Sequence, residues 1–215
     1  MVTAVDIRAR IEQDVFDYQQ LTGLLGEYAK ARDRIGELLR QGHVTRIKKG
    51  LYTFGEPLRR RPILLPVLAN LIYGPSYVSG VYALSHHGLI PEGVAVVTSQ
   101  TTGRSCEFET PFGRFSYRRS MGGRYPVGVA RVEIENSAYL IATPEKALFD
   151  AVYDDSRFDG GSEDEVLVYL TEDLRIERAD LQRLDRARLE ALEKVARGRM
   201  LALTGCLKRL TGGGA

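Results

Sequence analysis

Two of the chain's three histidines stand side by side in "YALSHHGLIPE", residues 82–92, directly after Ser85. Imidazoles bind metals and move protons, and a serine beside one invites comparison with a hydrolase. The spacing speaks against both. Adjacent helical residues point about 100° apart, so His86 and His87 cannot share a metal as an i, i+4 pair does, and no Glu in that turn completes an HExxH arrangement. "LSHHG" is not the GxSxG elbow of a serine hydrolase. "GPSYVSG" and "SMGGRYP" lack the spacings that cradle a nucleotide phosphate. Glu133 and Glu135 alternate on a strand-like run without the companion Asp and following Lys of a nuclease. Cys106 and Cys206 are a hundred residues apart with no CxxC, which reads as two reduced thiols and no zinc site. No catalytic residue, no metal site and no cofactor are expected, so the chain reads as a non-enzyme, with the histidines as scaffold.

Charge is the more informative chemistry. The chain of 215 residues carries 30 Lys/Arg against 28 Asp/Glu, but over residues 40–61 the ratio is seven to one. Residues 62–153 balance, and residues 154–215 are slightly acidic. A basic excess confined to one short region is the footprint of a polyanion contact.

That region must be held by local structure. Residues 7–15 read as a short amphipathic helix. "DYQQLTGLLG" reads as a second, with Asp17 and Gln20 in capping-box positions and Gly26 as its stop. A third runs through "EYAKARDRIGELLRQG", where Tyr28, Ala31, Ile35, Leu38 and Leu39 form one buried stripe centred on Ile35 and Leu38, and ends at Gly42. Then "HVTRIKKGLYTF" reads as a hairpin with Lys-Lys-Gly at the bend. Helix, helix, turn, helix and basic hairpin make a winged helix-turn-helix, whose third helix suits a major groove while the hairpin neutralises phosphates. Ala29, Lys30, Asp33 and Glu37 face outward on that helix, flanked by Arg32 and Arg34. Its N-terminal end places Lys30, Arg32 and Arg34 near base edges, and Arg46, Lys48 and Lys49 on the hairpin are the expected phosphate contacts.

The expected organisation is a winged-helix domain over residues 1–56, a linker at 57–63 containing Arg59, Arg60 and Arg61, and a mixed α/β domain over 64–215 with C-terminal helices: an α+β fold. Strand runs alternate with helices in the larger domain, where Thr143 and Pro144 open a helix as N-cap and N1. A second candidate nucleic-acid patch lies there, with Arg114, Arg118, Arg119 and Arg124 interleaved with Phe112, Phe115 and Tyr117. Its competitor is salt bridging to Glu107 and Glu109 across a hairpin turning at "TPFG". At 44% hydrophobic and 27% charged, with mean hydropathy −0.19, the composition is that of a soluble globular protein. No apolar run is long enough to span a membrane and no signal peptide is evident, so a cytoplasmic location is expected.

The motifs "RIKKGLYTF", "GPSYVSGVYALSHHGLIPE", "VAVVTSQTTGR", "FETPFGRFSYRR" and "IATPEKALFDAVYD" occur in the order found in AbiEi-type antitoxins of type IV toxin–antitoxin and abortive phage infection systems. The resemblance covers residues 17–155. It implies a winged-helix domain and a mixed α/β antitoxin domain, with a DNA-reading helix in "YAKARDRIGELL" and a wing in "RIKKGLY". The expected partners are double-stranded DNA carrying inverted repeats upstream of the protein's own operon and a nucleotidyltransferase-fold toxin that it counteracts. Asp33 and Glu37 on the outward helix face make that helix less basic than in many such proteins. The alternative is a nuclease that uses the winged helix as a targeting arm.

Overall fold

The computed structural model describes residues 3–26, 31–120, 122–135 and 137–212. It has a mixed α+β architecture, with a three-stranded sheet near the N-terminus and a six-stranded sheet beyond it.

The first unit runs α1 (Ala4–Arg10), β1 (Val15–Asp17), α2 (Tyr18–Leu24), α3 (Ala31–Arg40), β2 (Val44–Lys48) and β3 (Leu51–Phe54). Thr3 and Asp6 cap α1 reciprocally, as Asp17 and Gln20 cap α2. The helix expected over residues 7–15 stops at Arg10 instead. The buried Arg8 guanidinium collects the carbonyls of Ile11, Glu12 and Gln13 and lies 4.5 Å from the Phe54 ring centre. Those carbonyls are thereby satisfied outside a helix, and the chain is free to extend into β1. β1 pairs antiparallel with β3, giving the order β1-β3-β2. The second helix ends at Leu24, ahead of the Gly26 stop. The expected start of the third helix, with Tyr28, Ala29 and Lys30, lies outside the described residues. Of its inward stripe Tyr28 lies outside the described residues, Leu38 is fully buried and Ile35 nearly so, and Ala31 and Leu39 are half-buried against the same core. Together with Ile7, Phe16, Leu21 and Phe54 these side chains form a core of their own.

Gly42 ends α3 in a left-handed conformation (φ 70°), and the chain is then pinned where the Gly55 N–H donates to the His43 carbonyl at 2.8 Å. A Cβ on Gly55 would lie 1.7 Å from the Gly42 carbonyl oxygen, which is backbone and cannot swing away. Gly55→Ala is expected to cost more than about 2 kcal/mol in urea unfolding. Gly93→Ala, which meets nothing within 4 Å, should stay within about 0.5 kcal/mol of wild type.

The larger unit has strand order β6-β7-β5-β4-β9-β8, built from β4 (Ser76–Val78), β5 (Val96–Thr101), β6 (Cys106–Thr110), β7 (Gly113–Arg119), β8 (Val129–Ile134) and β9 (Ser137–Ala142). The β5–β7 and β4–β9 pairs are parallel and the others antiparallel. Strand alternation sends Tyr77 and Tyr117 to opposite faces. Tyr117 donates to the Ala69 carbonyl on α4 (Leu65–Ile72) at 2.6 Å, and Tyr77 to Asp150 on α6 (Pro144–Asp154) at 3.0 Å. The sheet is thus covered by α4 on one face and by α6 on the other. α5 (Gly80–His86) packs on α6 and β5. The chain closes with α7 (Glu163–Val168), α8 (Arg178–Gln182), α9 (Arg186–Val195) and α10 (Arg199–Gly212). Among the described residues no helix is long and apolar enough to cross a membrane.

The two units are not joined by a free linker. Ile47 and Leu51 of the hairpin belong to the larger core. Arg59 donates to the Phe54 carbonyl and lies 5.3 Å from the Phe112 ring centre, so this arginine has the hydrophobic surface the sequence did not reveal. Arg61 pairs with Glu135 at 2.9 Å.

Candidate nucleic-acid interface

Three of the expected DNA contacts are presented to solvent. Arg32 is exposed on the first turn of α3, next to the exposed Asp33. Arg46 and Lys49 are exposed on the hairpin. Arg34 is drawn along the helix to Glu37, whose other oxygen accepts from Gln41 at 3.1 Å, and its side chain is only 13% exposed. Lys30 lies outside the described residues.

Lys48 is a correction. Its ammonium donates to the carbonyl of Ile72 at the end of α4 and stands 5.6 Å from the centre of the Phe108 ring. The cause is local. The β2–β3 register slips between Arg46 and Lys48, and such an irregularity re-aims the side chains that follow it. A lysine at a helix C-terminus meets unsatisfied carbonyls and the negative end of the dipole. Lys48 therefore fastens the hairpin to the larger unit and does not point toward a duplex.

The second patch is brought together only in part. Arg114 pairs with Glu109 at 2.7 Å across the β6–β7 hairpin, the salt-bridged alternative. Arg118 and Arg119 are exposed near the end of β7. Arg124 is buried and leaves the patch: its guanidinium carbon lies 3.3 Å from the Tyr153 ring centre, and its Nε donates to Ser120 at 3.1 Å. Arg60 and Arg61 line a cleft of about 540 Å³ between the units together with Leu64, Leu71 and Ile134.

Sequence reasoning missed a sealed polar cluster beneath this surface. Lys146 and Asp150 sit one turn apart on α6, 3.0 Å from each other, with side chains at 0% exposure. Asp150 also accepts from Tyr77 and from Ser79 (2.8 Å), and Lys146 donates to the Arg124 carbonyl at 2.9 Å. Burial pushes the Lys146 ammonium below its ordinary value, against the pull of Asp150, and pushes the Tyr77 hydroxyl up. The usable signal was the i, i+4 Lys–Asp spacing in "EKALFD". With no access for substrate, the cluster holds α6 against β4.

His87 Nε2 donates to the Ala142 carbonyl at 2.8 Å, and the His86 ring stands edge-on to Tyr139, with the surrounding burial lowering its pKa. His87 ties the end of α5 to the end of β9, while His86 is exposed. Glu133 and Glu135, on which the nuclease alternative rests, are exposed and paired with Arg131 and Arg61. Among the described residues no three His, Cys, Asp or Glu side chains are grouped to hold a metal ion.

With this geometry in place, comparison with known proteins adds no identity. No protein-family model and no curated protein matches the chain. Whatever function is assigned rests on the residues themselves.

Proposed function

We propose that this protein is a DNA-binding autorepressor and antitoxin whose first 56 residues act as a winged helix-turn-helix, with the larger unit counteracting a nucleotidyltransferase-fold toxin. The observation that carries the DNA-binding part is the strand order β1-β3-β2, which ties the hairpin to the helices and leaves Arg32, Arg46 and Lys49 exposed. The order helix, strand, helix, helix, hairpin supports a winged-helix reading, in which one helix enters a major groove while the hairpin lies along the backbone. The antitoxin part is supported by the ordered motifs of the larger unit.

A mobility-shift titration against the region upstream of the protein's own reading frame tests it. The two exposed hairpin cations, Arg46 and Lys49, predict an affinity that falls with salt at a log–log slope of about −1.8. Salt-insensitive binding, or none, overturns the DNA-binding reading. Growth rescue on co-expression with an adjacently encoded nucleotidyltransferase toxin tests the antitoxin part separately.

A further inference from the structure

The six-stranded sheet ends in β8, which is hydrogen-bonded on one side only, to β9. Among the described residues no other strand pairs with its outer edge. The direction of its backbone groups follows from β9. Leu140 lies opposite Arg131, yet its N–H donates to Asn70 Oδ1 at 2.6 Å and its carbonyl accepts from Asn70 Nδ2 at 3.5 Å, on the side away from β8. Arg131 and Leu140 are therefore a non-hydrogen-bonded pair, and the N–H and C=O of Arg131, with those of Glu133 two residues on, point to the open side.

Open edges are normally blunted by charged side chains, proline, a bulge or covering structure. β8 has no proline, its register with β9 is regular throughout, and its two charges are of opposite sign, so they do not repel a second strand of the same sequence. Its side chains are instead arranged to match themselves. Arg131 and Glu133 share one face, pair with each other along the strand and are still 63% and 68% exposed, so an opposing strand can share both charges, whereas Ala130, Val132 and Ile134 share the other face.

We propose that β8 pairs antiparallel with β8 of a second copy of this chain, about a two-fold axis at Val132. Arg131 of one copy then lies opposite Glu133 of the other, and each of these pairs exchanges both its N–H···O=C bonds. On the opposite face Val132 meets Val132 and Ala130 meets Ile134, so an apolar row backs the charged one. The register is discriminating. An axis at Arg131 sets arginine against arginine, an axis at Glu133 sets glutamate against glutamate, and like charges directly opposite are unfavourable. The self-complementary patch is what a two-fold interface requires. The inference needs no DNA and stands apart from the DNA-binding reading.

Sedimentation velocity of the full chain from about 1 µM to about 200 µM is the test. Wild type is expected to show a concentration-dependent dimer. Arg131→Glu alone and Glu133→Arg alone each place like charges across the axis and should weaken it about tenfold or more. The double exchange Arg131→Glu with Glu133→Arg should restore the dimer, and mixing the two single variants should give a heterodimer that neither forms alone. Unchanged thermal melts show that each variant is folded. A wild type that stays monomeric throughout the range, single variants that associate as wild type does, or a loss that neither the double exchange nor the mixture restores overturns the proposal.

Discussion

Lys146→Met is expected to destabilise the protein by about 3–5 kcal/mol, because it leaves a sealed carboxylate without its cation. Asp150 would keep the hydroxyl donors of Tyr77 and Ser79, but two neutral donors do not balance a charge that water cannot reach. The pair itself is not a large net stabiliser. Burial depresses the Lys146 ammonium despite Asp150 at 3.0 Å, so desolvation outweighs attraction at this lysine. Lys146→Met combined with Asp150→Asn should therefore recover most of the loss, since asparagine still accepts from Tyr77 and Ser79 and no charge is buried. Chemical unfolding of the four proteins in a double-mutant cycle measures the coupling. The sign of the pH effect follows from the same shift. A lysine whose folded value lies below its ordinary 10.5 binds fewer protons than the unfolded chain between those two values. Wild-type stability gains a contribution as pH rises through that window, complete above 10.5, and Lys146→Met lacks it. A single variant as stable as wild type would mean that the cluster is open to solvent, contrary to its burial.

What was legible in the sequence was what is decided within a few residues. The capping pairs at Asp17 and Gln20 and the Thr143–Pro144 helix start involve neighbours along the chain, and the hairpin at Lys48–Gly50 is closed by its own strands. β1 was not legible, because three residues form a strand only through β3, more than thirty residues further on. The shortened first helix belongs to the same class: nothing within residues 7–15 announces that Arg8 is buried on Phe54 among three carbonyls. At the candidate site, counting charges located the hairpin correctly but could not say which cations face outward. Arg46 and Lys49 do so, while the slip in register turns Lys48 onto α4. Arg124 was misplaced for a related reason, since its stacking partner Tyr153 comes from a helix distant in sequence. Charge is a property of composition, whereas its presentation is a property of packing.

That distinction sets the sharpest contrast for the DNA-binding reading. Replacing Arg46 and Lys49 together by alanine is expected to flatten the log–log salt slope by about 1.8, and to lower affinity about 60-fold at 0.1 M salt with little effect near 1 M. The loss should be similar for operator and unrelated DNA, because phosphate contacts carry no sequence information. Lys48→Ala, one residue away, should leave the slope unchanged, because its ammonium is already spent on the Ile72 carbonyl. Its effect should appear as a destabilisation of about 1.5 kcal/mol, the lower end for a hydrogen bond to a charged group. Arg32→Ala should differ from both: if its guanidinium reaches a base edge, the operator loses about 1–3 kcal/mol of binding and unrelated DNA much less. Titrations of the three variants over a salt series separate these outcomes. If Lys48→Ala flattened the slope as Arg46 and Lys49 do, the hairpin would have to leave α4 to bind DNA. If none of the variants changed it, the duplex contact would have to lie elsewhere, with exposed Arg118 and Arg119 the next cations to replace.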